Sequence, residues 1–163
     1  MTTIVLFIAL AISFITDIKK RRIFNIITFP AMLMGLFFHT ITNGWDGFLF
    51  SLLGIVTGFG LLMIPYALNG MAAGDVKLLM AIGALKGSAF TFSSFLYIAI
   101  IGGIIALIIL IVKKDLVNSL KRILFSAQFK TLNSLSKDEL HHAFPYGVAI
   151  VLGTLSYYGV SVF

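Results

Sequence analysis

The 163 residues of this chain are 60% hydrophobic and only 11% charged, and they include 16 phenylalanines. A water-soluble domain carries about 25% charged residues, so this composition excludes a soluble globular protein. The net charge of +6 does not indicate nucleic-acid binding, because lysine and arginine in a membrane protein set its orientation and contact anionic lipid headgroups. The chain has no cysteine, which excludes disulfides and thiolate zinc sites.

Helices, rather than a barrel, account for the apolar segments. Backbone that faces lipid must satisfy its own hydrogen bonds, which only helices and closed β-barrels do. Long unbroken apolar runs such as Ile98–Val112 lack the alternation of a barrel strand. The sequence therefore predicts an all-α, polytopic membrane protein with about six transmembrane helices.

The first three spans follow directly from the apolar segments. They cover Thr3–Thr16, Ile26–Ile41 and the stretch from Phe48 to about Leu68, with a turn-rich segment at residues 43–47 between the second and the third. A basic cluster at residues 19–22 follows the first span instead of preceding it. This order predicts a retained first helix with its N-terminus outside, and not a cleaved signal peptide.

The stretch Leu78–Val112 is too long for one span. A single helix of this length would be about 52 Å long, whereas the hydrocarbon core is about 30 Å thick. A break at Lys86-Gly87-Ser88 gives a short fourth span and a longer fifth, and residues 144–163 provide the sixth. Six spans place all of the 12 basic residues except Lys86 on the cytoplasmic side, so the positive-inside rule favours six spans over five.

A basic cytoplasmic loop of about residues 113–143 precedes the last span. Apolar residues from Leu116 to Leu124 recur in it at helical spacing, which predicts an interfacial helix on anionic lipid; a solvated or disordered loop is the other interpretation. No repeat or boundary divides the chain. We therefore interpret residues 1–163 as a single transmembrane domain in the cytoplasmic (inner) membrane, with both termini outside.

Two of the six acidic residues, Asp17 and Asp75, differ from the others because each lies at the cytoplasmic end of a span and adjoins apolar sequence. Singly, each has an ordinary explanation. Asp17 would pair with Lys20 or Arg21, and Asp75 would cap the N-terminus of the fourth span. Together, at one membrane face, they form a candidate carboxyl pair, which can share one proton and activate water with one partner as base and the other as acid.

The segment before Asp75 consists mainly of small residues, Gly70-Met71-Ala72-Ala73-Gly74, which would let an extended substrate approach. It resembles the Gly-x-Gly-Asp motif of the type IV prepilin peptidases, membrane aspartyl proteases that remove prepilin leader peptides. Other segments resemble this family in the same order and spacing: Asp17 with the basic run and Ile23-Phe24-Asn25, Gly74–Leu78 with Ala81–Ala84, and Pro145-Tyr146-Gly147.

The resemblance implies that Asp17 and Asp75 are catalytic. The residues that it implies for shaping the site or binding substrate are Asn25, Ala72, Ala73, Gly74, Lys77, Pro145, Tyr146 and Gly147. The chain departs from the family pattern at Ala72, where the motif usually has its first glycine, and at Phe24, where the family usually has proline. It also lacks the Cys-x-x-Cys insertion of the larger, bifunctional members, so it resembles the short peptidase-only branch, some members of which serve tad-type pili.

We therefore expect an intramembrane aspartyl endopeptidase that removes the leader peptide of type IV or tad-type prepilin-like precursors. Its expected partners are single-span prepilin-like substrates and membrane lipid. It is expected to need no metal and no other cofactor, because the three histidines do not form the usual set of zinc ligands.

A small proton-coupled transporter that uses the same carboxyl pair is the alternative, and a structural membrane subunit without catalysis is a third interpretation. A transporter predicts polar residues deep within the spans. The middle parts of the predicted spans contain few polar residues beyond Thr57, Ser93 and Ser94, which favours the peptidase.

Overall fold

The structure, a computed structural model, describes residues 1–68, 70–112 and 146–162. Nearly all of them belong to four helices: α1, Thr2–Lys20; α2, Asn25–Ala67; α3, Ala73–Val112; and α4, Tyr146–Val162. No strand occurs in these three ranges, so the all-α fold class is confirmed for the described part of the chain. The interfacial helix predicted within residues 113–143 lies outside it.

Helix α2 bends sharply at Gly44, inside the turn predicted between the second and third spans. Gly44 has φ 59° and ψ −132°, a conformation that glycine adopts without the steric cost of a side chain. This bend divides α2 into two arms, residues 25–43 and 45–67. The arms contact each other, and the Ser51 hydroxyl donates a hydrogen bond of 3.3 Å to the Gly35 carbonyl. Helix α2 is therefore a helical hairpin.

Helix α3 has a similar break at Gly87, where φ is 82° and ψ is 175°. The ring of Phe50 from α2 lies directly against this glycine. The break predicted at Lys86-Gly87-Ser88 from the length of the apolar stretch is thus present. It divides α3 into a short first arm, residues 73–86, and a longer second arm, residues 88–112.

The first arm of α3 is packed against both arms of α2 and is the most buried segment of the described part of the chain. Its buried apolar side chains are Val76, Leu78, Leu79, Ala81, Ile82, Ala84 and Leu85. Glycines bring the backbones together, since Gly54 contacts the backbone of Gly83 and Gly58 that of Leu79. Small residues allow such close helix packing in membranes.

Helix α1 packs against α2 and α4. It is antiparallel to α4, because Phe7 near its start contacts the ring of Tyr158 near the end of α4, with ring centres 5.1 Å apart. Beside this contact, the Lys86 Nζ atom donates to the Thr3 hydroxyl at 2.8 Å and lies 5.1 Å from the centre of the Tyr158 ring. One lysine thus joins α3, α1 and α4 at this end.

The described helices expose large apolar side chains, such as Ile26, Ile41 and Ile64, which are 80%, 81% and 71% exposed. In water this surface would associate, whereas lipid solvates it. Helices α1 and α2 and the segment Ala73–Ile108 are each long and apolar enough to cross a membrane, and α4 is a shorter apolar helix. The chain is therefore a membrane protein, and the count of six spans stays a prediction.

Contacts divide the chain into two compact units. The first consists of Met1–Ile101 with Pro145–Phe163, and the second of Gly102–Phe144. The structure describes the second unit only over residues 102–112, the end of α3. All the site residues discussed below belong to the first unit.

Candidate active site

Asp17 lies in the last turn of α1 and is only 4% exposed. Its Oδ2 atom accepts a hydrogen bond of 3.1 Å from the backbone N–H of Val148, and the N–H of Gly147 also bonds to this carboxyl group. Both N–H groups belong to the first turn of α4, where the backbone donors have no partner within the helix. The start of α4 therefore provides a binding site for the Asp17 carboxyl group.

Gly147 permits this contact because it has no side chain. A Cβ atom at this position would lie 2.6 Å from Oδ2 and 2.8 Å from Cγ of Asp17, which is well inside van der Waals contact. Any other residue would push the carboxyl group away from α4. Gly147, predicted as a site residue, thus contacts Asp17, whereas Pro145 lies outside the described residues.

Asp75 is the third residue of α3 and is 5% exposed. Its Oδ2 atom accepts a hydrogen bond of 3.2 Å from the N–H of Ala72, and its own N–H donates to the Ala72 carbonyl at 3.1 Å. An acidic side chain in the first turn thus satisfies the N–H of the residue just before the helix. The interpretation of Asp75 as the capping residue itself is therefore wrong, because that position belongs to Ala72.

Ile23, buried in the connection between α1 and α2, contacts the surroundings of both aspartates. Its Cβ and carbonyl oxygen are each 3.0 Å from where a Cβ on Gly74 would lie, and its Cδ1 is 3.1 Å from the same position on Gly147. Gly74 precedes Asp75, and Gly147 contacts Asp17. The two carboxyl groups are close enough for their charges to interact, so the structure brings the predicted pair together.

The start of α4 lies beside both acids. Tyr146 packs against the hydrophobic core, and its phenol is within electrostatic range of the Asp75 carboxyl group. The backbone of the next two residues holds Asp17. Tyr146 therefore lies in the surroundings of the pair, and its role in shaping the site stays a prediction.

Lys77 and Asn25 join the first turns of α3 and α2. The Lys77 Nζ atom donates a hydrogen bond of 2.9 Å to Asn25 Oδ1 and lies 5.1 Å from the centre of the Phe29 ring. Asn25 is exposed and Lys77 partly so. Both predicted residues thus lie at the end of the helices where the aspartates are, on the solvent-accessible side.

Neither departure from the family pattern distorts the backbone. Among the described non-glycine residues only Arg21 has a positive φ, so Ala72 takes a conformation that needs no glycine. Phe24 has φ −82° and ψ 139°, close to the φ that a proline ring imposes. Ala73, the first residue of α3, directly follows Ala72 and is exposed.

A separate cavity of about 520 Å³ lies at the bend of α2 and is lined by neither Asp17 nor Asp75. It is lined by His39, Asn43, Asp46 and Phe50. Within residues 1–68, 70–112 and 146–162, no three histidine, aspartate or glutamate side chains are grouped closely enough to hold a metal ion. The pair Asp17 and Asp75 is therefore not part of a larger cluster of acids and histidines among the described residues.

Most of the buried hydroxyl groups were not predicted from the sequence. The fully buried ones belong to Ser13, Thr28, Ser51, Thr91, Ser94 and Thr154. For Ser13 a signal was available, because it falls on the same helical face as Leu6, Leu10 and Asp17, and a residue on the apolar stripe of a helix is usually buried. Because these hydroxyl groups lie inside the protein, a scarcity of polar residues within the spans no longer counts against a transporter. The choice between a peptidase and a transporter therefore depends on the comparison with known proteins.

The sequence model of the type IV leader peptidase family matches residues 4–107. This range covers nearly all of α1, the whole of α2 and most of α3, and it includes both Asp17 and Asp75. No curated protein and no solved structure matches the chain. The resemblance inferred from the motifs is thus confirmed by a match over most of the sequence.

Proposed function

Because the chain belongs to the type IV leader peptidase family, we propose that it is an intramembrane aspartyl endopeptidase that removes the leader peptide of type IV or tad-type prepilin-like precursors. Family membership makes it a peptidase. The aspartyl chemistry is supported by one observation above all. Asp17 and Asp75 are both almost fully buried, and their charges are in range of each other.

In the proposed reaction the two carboxyl groups share one proton. Two carboxylates at short range repel each other, so that one stays protonated while the other is ionised. The ionised partner takes a proton from water, whose oxygen attacks the scissile carbonyl carbon. The protonated partner then supplies its proton as the peptide bond breaks to the amine. A coupled pair titrates as a unit, so the two roles belong to the pair.

The substrate is proposed to reach the pair in an extended form along residues 72–74. These residues are small, and none of them is buried. Asn25 and Lys77 lie beside them and present polar groups to a passing peptide backbone. The proposed partners are accordingly single-span precursors whose cleavage site lies at the cytoplasmic membrane face, together with the surrounding lipid.

The proposed topology has both termini outside and the basic loop inside the cytoplasmic membrane. Single cysteines introduced as Asp46→Cys, Phe125→Cys and Phe163→Cys test it, because the chain has no native thiol to interfere. We expect a membrane-impermeant thiol reagent added to intact cells to label positions 46 and 163 and to leave position 125 unlabelled until the membrane is opened. External labelling of position 125 would contradict the six-span topology.

The proposed chemistry needs only water, so purified protein should cleave a precursor with a chelator and a thiol-blocking reagent present. Candidate precursors are those encoded near this gene, and cleavage is measured as a gel shift. We expect activity to fall once the pH is high enough to ionise both carboxyl groups, because the acid partner is then lost. If chelation stops cleavage and a divalent metal restores it, the acids are metal ligands and the proposal is wrong.

A further inference from the structure

Thr28, in the first arm of α2, is fully buried, and its hydroxyl has no hydrogen-bond partner among the described residues. Other helical threonines bond to the carbonyl one turn earlier, as Thr40 does to Leu36 and Thr57 to Leu53, both at 2.7 Å. A buried hydroxyl without a partner is unfavourable and rare. The Thr28 hydroxyl is therefore available to bind a molecule other than the described protein groups.

The face of α2 that carries Thr28 is the face that contacts α3. Thr28 shares a buried stripe with Ala31, Met32 and Gly35. Gly35, seven residues or about two turns further along, lies directly against the α3 backbone at Ala84. The Thr28 side chain thus belongs to the protein interior and not to the lipid-facing side.

Thr28 lies about one turn from a helix end, as the aspartates do. Helix α1 ends at Lys20 and α2 begins at Asn25, and the two pack against each other. Asp17 and Thr28 are each the fourth residue counted from these ends, so both lie about one turn from the connection between α1 and α2. The hydrogen bond from Lys77 to Asn25 sets the first turn of α3, which contains Asp75, beside the first turn of α2.

We propose that Thr28 is a positioning residue whose hydroxyl binds the water molecule that Asp17 and Asp75 activate. The inference rests on the proposed peptidase function. A buried water molecule usually makes about three hydrogen bonds. The two carboxyl groups supply two partners, and a hydroxyl, which both donates and accepts, supplies the third. Three partners fix the direction of the attacking oxygen, which increases the rate more than it changes substrate affinity.

The experiment compares Thr28→Val with the wild-type protein in detergent. Valine keeps the shape and removes the hydroxyl. We expect kcat for precursor cleavage to fall about 10- to 100-fold and KM to change less than about twofold. Tm should change little, because the hydroxyl bonds to no described protein group and only its bond to water is lost. An unchanged kcat would overturn the inference.

Ser94→Ala is the matched control. Ser94 is also fully buried with no partner among the described residues, but it lies in the second arm of α3, beyond the bend at Gly87. We expect this variant to cleave at the wild-type rate. An equal loss of activity in both variants would show a general packing effect and overturn the inference.

A second pair of variants covers the case in which Thr28→Val does not fold. Thr28→Ser and Thr28→Ala both lack the γ-methyl group and differ only in the hydroxyl. Thr28→Ser should be about 10-fold or more faster than Thr28→Ala, and equal rates would overturn the inference. A wild-type protein that cleaves no precursor would reject the peptidase function itself, and with it the role of Thr28. A cleaving wild type with an equally active Thr28→Val would reject only the role of Thr28.

Discussion

Asp17→Asn and Asp75→Asn are each expected to lower the cleavage rate by about 1,000-fold or more, because neither an acid nor a base remains at the changed position. The fold should persist. An asparagine oxygen at position 17 still accepts the N–H of Val148, and one at position 75 still accepts the N–H of Ala72. The measurements are precursor cleavage by gel shift and Tm of the purified variants in detergent.

Asp46→Asn is the control for both variants. Asp46 is an exposed acid beside the bend at Gly44 and takes no part in the pair. It undergoes the same chemical change, so its activity should equal that of the wild type. Substantial cleavage by a folded Asp17→Asn or Asp75→Asn protein would reject the carboxyl pair as the catalytic centre.

Gly147→Ala is expected to lower the cleavage rate by about 100-fold, although it adds only one methyl group. The new Cβ would lie 2.6 Å from Oδ2 of Asp17, so either the carboxyl group or the start of α4 must move. Displacement of a catalytic group by about 1 Å costs about 100-fold in rate. The strain should also lower the free energy of unfolding, by about 1–3 kcal/mol, which thermal melting can measure.

Gly159→Ala makes the same change in the same helix at a position where a Cβ meets nothing within 4 Å. Alanine favours helix over glycine, so this variant should be as stable as the wild type or slightly more so, with full activity. If Gly147→Ala behaves like Gly159→Ala, the contact between α4 and Asp17 has no importance for catalysis.

The breaks in the helices could be predicted from the sequence because they follow from simple limits. The stretch Leu78–Val112 exceeds the membrane thickness, and its polar segment Lys86-Gly87-Ser88 contains a glycine, which accepts a positive φ. The turn at Gly44 could be predicted because the residues around it, 43–47, are mostly of types that favour turns. That Asp17 and Asp75 lie at the same end of the helices could be predicted by counting spans, since both adjoin the predicted cytoplasmic face.

The contacts that build the site could not be predicted from local patterns. The bond from Val148 to Asp17 and the place of Ile23 between Gly74 and Gly147 depend on how each helix is rotated about its axis. Helical periodicity predicts which face is buried but not which neighbour that face meets. For the same reason the sequence does not distinguish Thr28 from other residues of an apolar segment. Its full burial and the lack of a hydrogen-bond partner among the described residues are seen only in the structure.

The hydrogen bond between Asp17 and Val148 also has a consequence for biogenesis, because 131 positions of sequence separate its two residues. Proteins are made from the N-terminus onward, so α1 enters the membrane long before α4 exists. Until α4 arrives, the Asp17 carboxyl group has no backbone donors to hold it beside Asp75. On the proposed mechanism we therefore expect a ribosome-bound chain that ends before residue 146 to be inert towards neighbouring membrane proteins, and to become proteolytically competent only after insertion of the final helix.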